Sequence, residues 1–198
     1  MSPINNVSRL PVSAEQLDEI KARYADRTIA LVGLMGAGKS TVGRRLAEAL
    51  GRSFYDNDEE IEKAAGLSIS DIFALHGEAE FRRGEKRVLE RLLKETPHVL
   101  ATGGGAYLDP DTRKLLRKSA VTVWLNADLE TLWRRVSRRD HRPLLKRPDA
   151  RDVLARLATE REPVYSKADI VVFSKDGPHS DTVGEILKAL TGWSPSDG

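Results

Sequence analysis

The stretch Gly33-Leu34-Met35-Gly36-Ala37-Gly38-Lys39-Ser40-Thr41 places two glycines around four residues and follows them with Lys and Ser. That spacing suits phosphate binding. Glycines let the backbone curl until successive amides face an anion at a helix N-terminus. In such a loop Lys39 would span the outer phosphates of a nucleotide and the Ser40 hydroxyl would sit on magnesium. Gly36, Ala37, Gly38, Lys39, Ser40 and Thr41 are therefore the candidate triphosphate cradle. The bland alternative is a Gly-rich turn carrying a surface lysine, and context decides against it. An apolar, β-branched run, Thr28-Ile29-Ala30-Leu31-Val32, leads into the loop, and a helical pattern through Val42, Leu46, Ala49 and Leu50 leaves it and stops at Gly51.

A magnesium-bound triphosphate calls for a carboxylate at the end of another strand. The run Val99-Leu100-Ala101 ends in Thr102 and glycines, and the run Ala120 to Leu125 ends in Asn126. Only Phe54-Tyr55-Asp56 delivers an acid. Asp56 and Asp58 are two apart, so an extended backbone would put both on one side, about 6.5 Å apart. One would then serve the metal and the other a substrate hydroxyl. Two other readings stand beside this: an acidic helix start, with Asp58, Glu59 and Glu60 favouring the helix dipole, and a calcium loop. The calcium loop fails because Ile61 occupies the position that needs Gly.

The elements that must position these groups follow from periodicity. Apolar runs at 28–32, 52–55, 99–101, 120–125 and 170–173 are separated by helical patterns, the longest carrying Phe81, Val88, Leu89, Leu92 and Leu93 before Pro97. This alternation predicts an α/β fold with a parallel sheet and helices on both faces. Ligands bind such sheets beyond the carboxyl ends of the strands. Ahead of the first strand, Ser13 with Gln16 makes a capping box, and Leu17, Ile20 and Tyr24 follow at helical spacing. The expected organisation is an N-terminal extension over 1–26, a kinase domain over 27–192 and a frayed tail over 193–198.

Six motifs together resemble one family. The phosphate loop, Phe54-Tyr55-Asp56-Asn57-Asp58 with Glu59-Glu60-Ile61-Glu62, Phe81-Arg82-Arg83-Gly84-Glu85, Thr102-Gly103-Gly104-Gly105, Arg142-Pro143-Leu144-Leu145 and Arg161-Glu162-Pro163-Val164-Tyr165 occur in the order and spacing of shikimate kinases, over about Thr28 to Leu190. The resemblance implies a three-layer kinase of the nucleoside-monophosphate-kinase type, with a five-stranded parallel sheet and a lid over about 136–150. It implies transfer of the ATP γ-phosphoryl group to the 3-hydroxyl of shikimate in aromatic amino-acid biosynthesis. Carried over by position, Asp58, Arg82, Gly104, Gly105 and Arg161 would contact shikimate. Asp56 and Ser40 would hold magnesium, Arg135 would lie near the adenine, and Arg142 would come from the lid. Lys39, Asp58 and Arg142 would then be the catalytic set. The departures are Asn57 where Thr is frequent, Gly84 inside the Phe-Arg motif, and the N-terminal extension.

The residue chemistry agrees with those roles. A planar guanidinium holds a carboxylate bidentately where a lysine offers a point charge. Three glycines directly after a strand let a ligand lie against backbone. Between Arg134 and Arg147 seven basic residues face one acid, Asp140, which suits a lid that closes over a triphosphate and excludes water. Nucleic-acid binding is not expected from this stretch, because only Trp133 adjoins it and base-stacking aromatics are missing.

The whole chain fits this picture. Its 198 residues carry 32 Lys and Arg against 30 Asp and Glu, a net charge of +2, with 40% hydrophobic residues and no cysteine. Disulfides, thiolate metal sites and thiol nucleophiles are excluded, and a cytoplasmic, monomeric enzyme with no nucleic-acid or membrane partner is expected. The rivals are a gluconate- or nucleotide-type kinase and a catalytically silent nucleotide-binding regulator on the same fold. The regulator would be expected to lose Lys39, Asp56 or Asp58, all of which are present.

Overall fold

The computed structural model describes residues 11–137 and 149–194. Among these, five parallel strands, β1 (Thr28–Val32), β2 (Phe54–Asp56), β3 (Val99–Ala101), β4 (Ala120–Asn126) and β5 (Ile170–Phe173), form one sheet in the order β2-β3-β1-β4-β5. The helices are α1 (Ala14–Arg23), α2 (Lys39–Leu50), α3 (Asn57–Ala65), α4 (Ile69–Leu92), α5 (Pro110–Ser119), α6 (Leu129–Ser137), α7 (Ala150–Tyr165) and α8 (His179–Gly192).

Burial explains the order. Every residue of β1 is buried, as a central strand between β3 and β4 must be. β5 alternates instead: Ile170 and Val172 are buried, while Val171 and Phe173 are exposed. The sequence reads β5 like the other apolar runs; it lies at the sheet edge and is covered on one face only. β2 begins two residues later than expected, because Arg52 is diverted to bind the Arg27 and Tyr24 carbonyls at 2.9 and 2.6 Å.

From β1 the chain crosses over to β2 on one side, and from β3 to β4 on the other. Right-handed crossovers then put α2 and α5 on opposite faces. The point where the direction reverses is the crevice beyond the carboxyl ends of β1 and β3, which is where such sheets bind ligands. The phosphate loop follows β1, and the three glycines follow β3.

Local signals set the helix ends. The Ser13–Gln16 capping box closes with bonds of 3.2 and 2.9 Å, and Leu17, Ile20 and Tyr24 enter the core. At the far end of α8, the Tyr24 hydroxyl donates to Leu190 and Trp193 carbonyls at 2.9 and 2.7 Å. α4 is broken at Gly77, where φ 76° and ψ 173° leave the helical region. Positive φ of that kind is open to glycine at little cost. The helical pattern read from the sequence begins only at Phe81; the structure carries the helix back to Ile69 across this break.

One buried group makes stability depend on pH. His98 is fully buried beside Tyr55, with Nδ1 3.0 Å from the Thr96 carbonyl, and its Nε2 has no hydrogen-bond partner among the described residues. Burial holds this imidazole below its ordinary value of 6.5, the Thr96 carbonyl opposing the shift. The unfolded chain therefore binds a proton that the folded chain refuses. Stability from this group is complete above pH 6.5 and is lost as the pH falls through the lowered native value. Melting temperatures between pH 7.5 and 5 should fall less steeply in His98→Phe than in the parent; equal slopes would contradict the assignment.

Candidate active site

The phosphate loop is shaped by its neighbours as well as by its glycines. Gly36 has φ 84°, and a Cβ there would stand 2.8 Å from Val136 Cγ1 and 3.0 Å from the Leu132 carbonyl. Only glycine lets α6 lie this close to the loop. Lys39, the first residue of α2, folds back so that Nζ donates to the Gly33 and Leu34 carbonyls at 2.8 and 3.1 Å. Its charge thus stands over the hollow that the loop encloses.

Ser40 and Asp56 meet across the β1–β2 connection. The Ser40 hydroxyl donates to Asp56 Oδ2 at 2.6 Å, and Asp56 Oδ1 accepts from the Asp58 amide at 3.0 Å. Asp56 is thereby the N-cap of α3 and the partner of the phosphate-loop serine at once. A hydroxyl and a carboxylate so close form an all-oxygen pair. That donor set suits magnesium, which takes one or two protein oxygens and completes its shell with water and phosphate.

The extended geometry expected for Asp56 and Asp58 is not found. The backbone turns helical at Asn57, so Asp58 lies in the first turn of α3. The metal-and-substrate reading and the helix-start reading are therefore not exclusive: the same acids cap a helix and face the cleft. Asn57 between them is fully buried, and neither polar atom of its side chain has a hydrogen-bond partner among the described residues.

Asp58 still reaches the glycine run. A Cβ on Gly103 would stand 2.8 Å from Asp58 Oδ1 and 2.7 Å from Glu85 Oε1. A Cβ on Gly105 would stand 2.6 Å from Arg82 Nη2. Side chains at either position would push acid or guanidinium out of place, which is why glycines stand here. Arg82 donates to Glu85 at 2.7 Å and more loosely to Glu78 at 3.3 Å, and its guanidinium lies 5.1 Å from the Phe81 ring centre. Glu85 is 5% exposed. Burial pushes its carboxyl above the ordinary value of 4.5; Arg82 counters this, and the Asp58 charge adds to it. From α7, Arg161 and Tyr165 both donate to the Gly104 carbonyl.

Arg135 closes the other end of the cleft. Nη1 lies 2.9 Å from Ser174 Oγ and 3.3–3.4 Å from the Ala37 and Gly36 carbonyls, and Nη2 donates to the Lys175 carbonyl at 2.7 Å. It therefore ties the phosphate loop to the connection between β5 and α8. His179, at the start of α8, lines the cleft beside Gly38.

One cleft thus brings together Gly36, Gly38, Lys39, Ser40, Thr41, Asp56, Asp58, Gly104 and Arg135. Arg82 and Gly105 meet each other next to the cleft residue Gly104, and Arg161 reaches the cleft through the Gly104 carbonyl. Ala37 is buried within the loop. Arg142 and most of the expected lid lie outside the described residues. Sequence reasoning assigned no role to Glu85, Tyr165 or His179. Spacing could have found the first two, since Glu85 follows Arg82 by three residues and Tyr165 follows Arg161 by four, each pair on one helix face. His179 has no such signal and is brought in by the fold.

A parallel sheet in this order, with a phosphate loop after its central strand and an acid after its edge strand, defines a phosphate-loop kinase acting on a small acceptor. The family model for shikimate kinase matches residues 35–191, and on that match the chain belongs to the shikimate kinase family. The shikimate kinase of Paramagnetospirillum magneticum is 56% identical over 164 residues, 83% of this chain and 84% of that protein. The structure of the shikimate kinase from Acinetobacter baumannii in complex with shikimate is 39% identical, covers 87% of this chain and 97% of that one, and superposes with a TM-score of 0.82. A gluconokinase from Sinorhizobium meliloti, 20% identical with a TM-score of 0.56, shares the fold alone.

Proposed function

We propose that this chain phosphorylates shikimate at its 3-hydroxyl with ATP, giving shikimate 3-phosphate and ADP. The observation that carries the reading is the crevice beyond β1 and β3. There a phosphate loop, a serine–aspartate oxygen pair and an acceptor end bearing Asp58, Arg82, Gly104 and Arg161 converge. The distant gluconokinase relationship adds nothing for that rival, which gives no reason for Arg82 and Arg161 at these positions.

In this reading Lys39 and the loop amides hold the β- and γ-phosphates in line with the acceptor. Ser40 and Asp56 hold magnesium, whose charge would offset that developing on the transferred group. Arg82 and Arg161 grip the acceptor carboxylate. Asp58 accepts the hydrogen bond of the attacking hydroxyl, and its larger contribution is positioning, because a loose phosphoryl-transfer transition state needs little help from a base. Arg135 sits where the base end of the nucleotide would emerge. One chain supplies every group, so the reading needs no second copy. Among the described residues no helix is long and apolar enough to cross a membrane, and we place the enzyme in the cytoplasm.

ADP release measured against a panel of shikimate, gluconate and nucleoside monophosphates tests the reading. Turnover is expected with shikimate, ATP and magnesium and should stop when the metal is chelated. No shikimate-dependent turnover would sink it. Arg142→Ala should lower kcat by roughly 10²-fold while changing substrate affinities little, as for a donor that acts mainly in the transition state. A raised KM with unchanged kcat would argue instead for ground-state binding.

A further inference from the structure

Arg161 and Tyr165 stand four residues apart on α7, so they share a helix face, and both point at one acceptor atom. The Gly104 carbonyl receives Arg161 Nη1 at 3.2 Å and the Tyr165 hydroxyl at 2.5 Å. A carbonyl oxygen has two lone pairs, and both are used here. The phenol makes the shorter bond.

Tyr165 is held for this task. It is 2% exposed, and its ring lies between those of Trp124 and Tyr107, with centroids 6.0 and 6.5 Å away and interplanar angles of 29° and 17°. Burial pushes its phenol above the ordinary value of 10.0, so the hydroxyl keeps its proton and remains a donor through the physiological range. Gly104 sits between two glycines whose surroundings are already fixed. Gly103 faces Asp58 and Glu85, and Gly105 faces Arg82. The tilt of the Gly104 peptide therefore sets what the whole run offers to an acceptor.

We propose that Tyr165 is a positioning residue for acceptor binding: its hydroxyl holds the Gly104 carbonyl, fixing the glycine run and leaving the Arg161 guanidinium available to the acceptor's carboxylate. Without the phenol, that carbonyl depends on Arg161 alone. Turning Arg161 toward a substrate anion would then strand a partly buried acceptor, and the cost would appear in acceptor binding. The inference rests on the reading that Arg161 grips the carboxylate.

Tyr165→Phe keeps the ring and removes only the donor. Its KM for shikimate should rise roughly 5- to 20-fold, the cost of stranding one carbonyl, with KM for ATP unchanged. In an Arg161→Ala background the same change should add less than about 2-fold, since coupled residues are non-additive. A shikimate KM unchanged by Tyr165→Phe would overturn the inference. So would a full penalty retained in the Arg161→Ala background, or equal rises for both substrates with a lowered melting temperature, which would mark a purely structural role. If Arg161→Ala itself leaves shikimate binding intact, the carboxylate reading falls and takes the inference with it. A normal loss in Arg161→Ala with a silent Tyr165→Phe removes the inference alone. Should Tyr165→Phe be less stable, shikimate titration well below its melting midpoint gives the same comparison on folded protein.

Discussion

Lys39→Met should lower kcat/KM by about 10³-fold, some 4 kcal/mol of transition-state stabilisation, while the chain stays folded. The Lys39 stem rises from the first turn of α2, and its ammonium is held over the loop by the Gly33 and Leu34 carbonyls. Methionine keeps the stem's bulk and removes the charge. The two carbonyls lose a donor, but Lys39 itself lines the cleft, so water can enter where the ammonium stood and the melting temperature should change little. What is lost is the one cation of the phosphate loop itself, which the proposed reading puts where charge would accumulate on the transferred group. Steady-state kinetics against both substrates check this. A loss below tenfold, or one that disappears at saturating ATP, would mean that Lys39 only binds nucleotide.

Arg82→Ala should weaken shikimate binding by about 2–5 kcal/mol, because the acceptor's carboxylate is left unpaired, and should leave ATP affinity nearly unchanged. Its second effect is on stability. Arg82 is the partner of Glu85, a buried carboxylate whose burial already raises its proton affinity. Removing the arginine removes the charge that opposed this shift. Glu85, already raised in the parent, would in the variant hold its proton in the folded state to a still higher pH. A group raised in this way stabilises at low pH and loses that contribution as the pH rises through the native value. Parent and variant therefore lose stability alike just above 4.5, and the deficit of Arg82→Ala should open only above the parent's own raised native value, where the variant alone keeps its proton. Arg82→Ala/Glu85→Gln should recover stability and remain unable to bind shikimate. Thermal melts at several pH values, with titration of both substrates, separate the two effects. Equal loss of ATP and shikimate affinity would contradict the assignment of Arg82 to the acceptor end.

Much of this was legible in the residues. The sheet was readable because a strand buried on both faces, such as Thr28–Val32, must be an apolar run, and such runs here are separated by helical periods. The phosphate loop was readable because its glycines are compelled by backbone geometry. Less legible was anything decided by neighbours distant in sequence. Phe173 belongs to an apolar run like the others, and only its place at the sheet edge leaves it exposed. Spacing leaves Asp58 open between an extended segment and the first turn of a helix; the Asp56 cap decides for the helix. The turns of α4 before Phe81, with the break at Gly77, went unread, because the apolar positions that mark the helix begin only at Phe81. His179 enters the cleft because α8 begins beside the phosphate loop, about 140 residues after Gly38 in sequence.

The strand order also has a consequence for synthesis. β1 leaves the ribosome well before its two neighbours in the sheet, β3 and β4, which are completed only at Ala101 and Asn126. A growing chain thus carries its phosphate-loop strand with both edges open for about seventy residues of synthesis after Val32, and with one edge open for some twenty-five more. At translation rates of roughly 5–20 residues per second this is an interval of several seconds or longer. The strand that leads into the phosphate loop is thus the one that waits longest for both of its neighbours, and unpaired strand edges of this kind are prone to pair with another chain.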